Sequence, residues 1–148
     1  MTPQEFIDQV SPAAVESARG SKIPASFTVA QAALESSWGA AAPGMNLFGI
    51  KADASWQGPI ITQQTAEVVA GKTVTITANF RAYSNWLGSI QDHAAFLLGN
   101  PRYRPAFAYT DGVDFAKAVA AAGYATDPDY ANKLIEIINA HQLTQFDA

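Results

Sequence analysis

The side chains able to do hydrolytic chemistry in this chain are almost all carboxylates. There is no cysteine, which removes disulfides, thiolate nucleophiles and thiolate metal sites together. The 2 histidines, His93 and His141, lie far apart and outside any metal-ligand spacing, which argues against a zinc hydrolase. That leaves 13 aspartates and glutamates. Most read as structural. Glu5 completes a capping box, Asp111 and Asp127 precede helices as caps, and Asp8, Glu16, Asp114 and Glu136 fall on solvated helix faces. Asp53, Asp92, Asp129 and Asp147 carry no signal of their own. Glu35 and Glu67 stand apart.

Glu35 falls in the final turn of an expected helix, at the end where unpaired carbonyls concentrate negative charge. Its neighbours Leu34, Trp38 and Phe48 suggest a poorly hydrated setting. Both effects favour the neutral carboxyl, which is the form a general acid needs. An ordinary solvated glutamate at a helix end accounts for the same segment, and on that segment alone it is the stronger reading.

Glu67 depends on strand register. With a turn at Ala70-Gly71, Val69 pairs with Lys72 and Glu67 stands opposite Val74, on the apolar Val74/Ile76 face. A carboxylate on that inward face would overhang a groove, and a slip of one residue would reverse the face. A charge placed to discourage edge pairing is the competing explanation.

The elements that must position these residues follow from periodicity and punctuation. Thr2-Pro3-Gln4-Glu5 predicts a helix from residue 3, with a kink or restart at Ser11-Pro12 and an end at Gly20. Phe27, Ala30, Leu34 and Trp38 recur at helical spacing, predicting a second helix from Ala25 to Ser37. Residues 40–61 are rich in Gly and Pro and read as irregular. Val74, Ile76, Ala78 and Phe80 alternate with Thr73, Thr75, Thr77 and Asn79, a half-buried strand whose partner runs from about 61 to 69. Ser84 is expected to cap a helix to Leu98, with a short helix near 102–107 beyond it. Thr110 or Asp111 opens a helix closed by Gly123, and Asp127-Pro128 starts the last one, which carries Leu134, Ile137, Ile138 and His141. The fold class is α+β, mostly helical, with one small β-lobe at about 60–82.

The chain has 148 residues, 49% of them hydrophobic and 15% charged, which suits one globular domain spanning 1–148. Net charge is -4 with Lys and Arg scattered, so nucleic acid is not an expected partner. No apolar run approaches the roughly eighteen residues of a membrane helix. The N-terminus lacks the basic and apolar stretches of a signal peptide.

Four blocks in order make the sequence recognisable. They are Ala30-Gln31-Ala32-Ala33-Leu34-Glu35-Ser36-Ser37-Trp38-Gly39, Asn46-Leu47-Phe48-Gly49-Ile50-Lys51, Phe80-Arg81-Ala82-Tyr83 and Gly123-Tyr124-Ala125-Thr126-Asp127-Pro128. Together they resemble glycoside hydrolase family 73, which includes the hydrolase domain of flagellar rod-assembly proteins and many phage and autolysin glucosaminidases. The resemblance implies a lysozyme-like fold with a groove between helical and β lobes. It also implies cleavage of the β-1,4 bond between N-acetylglucosamine and N-acetylmuramic acid in peptidoglycan. Glu35 matches the family's general acid, Glu67 its second carboxylate and Tyr124 the tyrosine close to the reacting sugar. Asn46 and Phe48 are expected in the groove wall beside Glu35. Trp56 and Tyr83 divide between stacking on sugar faces and packing, and Tyr130 reads as core. The family often has Asn-Gly at the hairpin turn, where this chain has Ala70-Gly71.

The second half of the reaction stays open at this level. A Glu67 more than about 6.5 Å from Glu35 would activate a water and invert, one at about 5 Å would attack directly, and one farther away would leave the task to the substrate's N-acetyl group. An N-acetylmuramidase or lytic transglycosylase on the same polymer, or a non-catalytic glycan-binding module of a phage tail or flagellum, are the competing functions. No metal and no organic cofactor is implied. The expected setting is the periplasm or cell wall, reached as a holin-released phage endolysin or as part of a longer exported protein, with the chain acting as a monomer and with no membrane partner.

Overall fold

A computed structural model describes residues 1–147. Helix α1, Pro3–Ser21, begins as the capping box requires: the Thr2 hydroxyl accepts from the Glu5 N–H at 3.1 Å and the Glu5 carboxylate accepts from the Thr2 N–H. Phe6, Ile7, Val10 and Ala14 recur at three- and four-residue spacing and bury one face. The expected restart at Pro12 does not occur. Pro12 lies on the exposed side of α1, where the carbonyl it leaves unpaired faces water, while Val10 and Ala14 hold the flanking turns in the core. Gly20 does not end the helix either. The chain turns at Lys22, in the left-handed region at φ 65, and its N–H returns to the Ala18 carbonyl.

Helix α2, Ala25–Ser36, runs through the middle of the protein, with Phe27, Val29, Ala30, Ala32 and Ala33 fully buried. Its run of alanines lets α1, α4 and α5 approach closely. The N-terminal end is tied by Asp147, whose carboxylate accepts from the Ser26 N–H at 2.8 Å and from the Ser26 hydroxyl at 2.6 Å. At the other end Ser36 bonds back to the Ala32 carbonyl while Ser37 and Trp38 adopt positive φ, stopping the helix just past Glu35.

Strands β1, Ile60–Val69, and β2, Lys72–Arg81, form a two-stranded antiparallel hairpin. The register is the expected one, with Val69 opposite Lys72 and Glu67 opposite Val74. Ala70 and Gly71 both have positive φ, 53 and 77, the geometry of a two-residue turn matched to strand twist. The apolar face does not pack on the core: Val74 and Ile76 are 37% and 39% exposed. The hairpin is anchored at its base instead, where Arg81 N–H donates to the Ile50 carbonyl, Ala52 N–H to Asn79 and Tyr83 N–H to Gly44.

Helix α3, Trp86–Gly99, is capped by Asn85 rather than Ser84, the Asn85 side-chain Oδ1 accepting from the Gly88 N–H at 2.7 Å. A 3-10 segment, Pro101–Ala108, leads to α4, Gly112–Ala121, capped by Asp111 as expected. Helix α5, Tyr130–Ala140, starts later than Asp127-Pro128 predicts. Asp127 closes the turn before it, its side chain accepting from the Asp129 N–H and its carbonyl from the Tyr130 N–H, so it bends the chain into α5 without capping it. A last 3-10 turn, Leu143–Asp147, had no sequence signal.

Candidate active site

Glu35 is the penultimate residue of α2. It is exposed, so the poorly hydrated setting expected of it is not what this conformation presents. The stop at Ser37 and Trp38 turns the backbone away and leaves the carboxyl at the wall of a cavity of about 400 Å³. Phe48, His93, Phe96, Tyr103 and Tyr124 line the same cavity. The volume lies within the range of small-molecule sites, and the lining has the aromatic character of a sugar-binding surface.

Behind the carboxyl, polar groups are buried and paired. The Tyr130 hydroxyl donates to Glu35 Oε1 at 2.7 Å and accepts from Gln31 Nε2 at 3.0 Å. Gln31 Oε1 lies 2.6 Å from His93 Nε2. The hydroxyls of Tyr124 and Tyr130 are both pushed well above the ordinary phenol range, first by burial and then by the negative charge of Glu35. They therefore stay protonated at any working pH. Burial pushes His93 down to about 3, so its ring is neutral. Phe48 stacks on that ring at 3.9 Å and Tyr124 meets it edge-on at 5.8 Å.

A second cavity, about 310 Å³, lies between the loop at Ala41 and Pro43 and the hairpin residues Gln63, Thr65 and Phe80. Gly49 lines both cavities, so the cavity that holds Glu35 and the one along the inner face of the hairpin are neighbours.

Of the residues singled out in the sequence, Glu35, Phe48 and Tyr124 share the first cavity. Asn46 lines the second, but its amide is fully engaged: it donates to the Ile50 and Arg81 carbonyls and accepts from the Ile50 N–H, clamping the loop to the hairpin base. Glu67 sits on the hairpin's inner face, outside the lining of the Glu35 cavity, with its carboxylate 2.6 Å from Lys51 Nζ. Trp56 and Tyr83 are packed together at 5.6 Å, with the Arg81 guanidinium 4.8 Å over the indole. The Tyr83 hydroxyl donates to Asp92, which also pairs with Arg81, so this cluster braces the base of β2. Asp92 had given no signal.

Sequence reasoning missed Gln31, His93 and Phe96, and took Tyr130 as core only. Tyr130 is indeed 5% exposed, yet its hydroxyl reaches Glu35. Gln31 precedes Glu35 by four residues and so shares its helix face, which was an available clue. Phe96, 46% exposed on α3, is an aromatic ring open to the cavity. Among the described residues no group of His, Cys, Asp and Glu is arranged to hold a metal ion.

A mainly helical body, one projecting hairpin and an acid at a helix end beside the groove between them define a lysozyme-like glycoside hydrolase. The chain belongs to the glucosaminidase family: the family profile described as "Mannosyl-glycoprotein endo-beta-N-acetylglucosaminidase" matches residues 11–143. It is 41% identical over 143 residues to peptidoglycan hydrolase FlgJ of Vibrio parahaemolyticus, covering 92% of this chain and 46% of that protein. It is 38% identical over 152 residues to exo-glucosaminidase LytG of Bacillus subtilis, covering 97% of this chain and 53% of that one. The glycoside hydrolase domain of Salmonella typhimurium FlgJ, in a C-terminally truncated structure, superposes with a TM-score of 0.83 at 37% identity, covering 95% of this chain and 97% of that one. The chain spans about half the length of the curated relatives it matches.

Proposed function

We propose that this chain is one hydrolase domain that cuts the β-1,4 bond between N-acetylglucosamine and N-acetylmuramic acid within bacterial peptidoglycan, with Glu35 as the general acid. The observation that carries this is the position of Glu35: it is the carboxyl on the wall of the aromatic cavity, which shares Gly49 with the neighbouring hairpin cavity. The names of the relatives, peptidoglycan hydrolase and exo-glucosaminidase, supply the polymer. The site of action is then the cell wall or periplasm, with the chain working as a monomer along a glycan strand.

Glu35 gives its proton to the glycosidic oxygen as the C1–O bond breaks. The carbon left behind needs an electron pair. With Glu67 paired to Lys51 and outside the cavity lining, direct attack by Glu67 is disfavoured in this conformation. The reading that fits is attack by the carbonyl oxygen of the substrate's own N-acetyl group, giving a cyclic intermediate that water then opens. The Tyr124 hydroxyl, held protonated beside Glu35, orients that group. The Glu35 carboxylate takes the proton from the water and is ready for another round. A Glu67 carried inward with the hairpin would polarise the same water.

Two measurements test this. Digested cell walls are reduced with borohydride and the new end sugar is identified: reduced N-acetylglucosamine supports the assignment, whereas reduced muramic acid or an anhydro sugar overturns it in favour of a muramidase or a lytic transglycosylase. Wall binding without any released muropeptide would make the chain a glycan-binding module.

A further inference from the structure

The buried groups behind Glu35 form a single hydrogen-bonded chain whose direction is determined. Glu35 Oε1 is 2.7 Å from Tyr130 Oη, Tyr130 Oη is 3.0 Å from Gln31 Nε2, and Gln31 Oε1 is 2.6 Å from His93 Nε2. Tyr130 has one proton to give. An ionised Glu35 only accepts, so that proton points at Oε1, and the Tyr130 oxygen must accept from the Gln31 amide. Gln31 then presents its carbonyl to His93, which must carry its proton on Nε2. The other ring nitrogen, His93 Nδ1, is buried with no hydrogen-bond partner, so a proton placed there would be an unsatisfied buried donor. One tautomer of one neutral ring satisfies every link. With Gln31 at 0% and His93 at 3% exposure, neither amide nor imidazole has solvent to turn toward.

We infer that His93, Gln31 and Tyr130 are positioning residues that keep Glu35 Oε1 as a permanent acceptor and so place the catalytic proton on Oε2. Oε2 is the oxygen of that carboxyl with no partner among the described residues, and therefore the one free to face a glycosidic oxygen. The inference rests on Glu35 being the acid.

The test begins on the wild-type protein, without catalysis. Nitrogen NMR of the histidine side chains is expected to show His93 as the neutral Nε2–H tautomer throughout about pH 5 to 8, the interval in which an ordinary histidine titrates. An Nδ1–H tautomer or a charged ring overturns the inference. In Tyr130→Phe, with folding checked by its thermal transition, kcat is expected to fall about ten- to a hundredfold, the loss of one hydrogen bond to a charged group. KM changes little, so the loss lies in kcat. Gln31→Leu lowers kcat with KM little changed, and the double variant goes no further than Tyr130→Phe because the link is already cut. Wild-type kcat in folded Tyr130→Phe, or additive losses in the double variant, overturns it. Failure of the acid assignment is read separately, as full activity in Glu35→Gln.

Discussion

Lys51 Nζ lies 2.6 Å from Glu67 Oε1 and ties the hairpin's carboxylate to the loop that follows Phe48. The pair joins two of the regions that border the groove. Lys51 is also bridged through its backbone to Phe80 on β2, so the same residue holds the hairpin base and its charge. The hairpin otherwise stands away from the helical body with its inner face open.

Removing the Glu67 charge therefore tests a role in turnover more than one in folding. Both partners are substantially exposed, and such a pair contributes at most about 1 kcal/mol. Glu67→Gln is expected to unfold close to the wild-type temperature while losing most, though not all, of its muropeptide release. Wild-type turnover would make Glu67 a structural residue of the hairpin.

Glu35→Gln is expected to keep the Tyr130 hydrogen bond, since the amide oxygen still accepts, and so to fold normally. Its clearing of purified walls should fall by about 10²- to 10⁴-fold or more, the usual contribution of a general acid. Clearing at the wild-type rate by the folded variant would remove Glu35 from the mechanism.

The hairpin turn gives a stability prediction. Ala70 holds φ 53, a conformation that disfavours a residue with a Cβ by about 1 to 2 kcal/mol and that asparagine tolerates better. Ala70→Asn should raise the unfolding temperature or, if the hairpin opens before the rest, slow amide exchange in β1 and β2. Gly71→Ala should do the opposite, because Gly71 sits at φ 77 even though nothing crowds it. Faster exchange in Ala70→Asn would show that the turn is not what limits hairpin order.

Much of this protein was legible in its sequence for identifiable reasons. The capping box at Thr2, the alternation from Val74 to Phe80 and the cap at Asp111 are local signals, and each sits where the local physics puts it. What the sequence did not disclose are contacts between distant positions. Asp147 looked featureless because its partner, Ser26, is 121 residues away. His93 looked like a stray histidine because its partner Gln31 lies on another helix, 62 residues earlier. Pro12 misled in the other direction: a proline breaks an isolated helix, but here the helix is held by its buried face. At the candidate site, the helix end drew attention to Glu35 but only the four ordered blocks singled it out, whereas the Tyr130 hydroxyl bonded to it required the packing of α5 against α2.

The buried His93 gives the protein a pH dependence of known sign. Folding holds the ring near pKa 3, against about 6.5 for an exposed histidine, because burial penalises the charged form. Above about pH 6.5 both folded and unfolded chains carry His93 neutral, and its contribution does not vary. Between about pH 6.5 and 3 the unfolded chain binds a proton that the folded one refuses, so the unfolding free energy decreases as pH falls, with a slope approaching about 1.4 kcal/mol per pH unit. Denaturant titrations of wild type and His93→Phe across pH 4 to 8 isolate this group from the carboxylates, which are common to both. The variant is expected to be less stable at neutral pH, where Gln31 loses its partner, and to show a flatter decline on acidification. Parallel curves for the two proteins would mean that the ring is charged in the folded state.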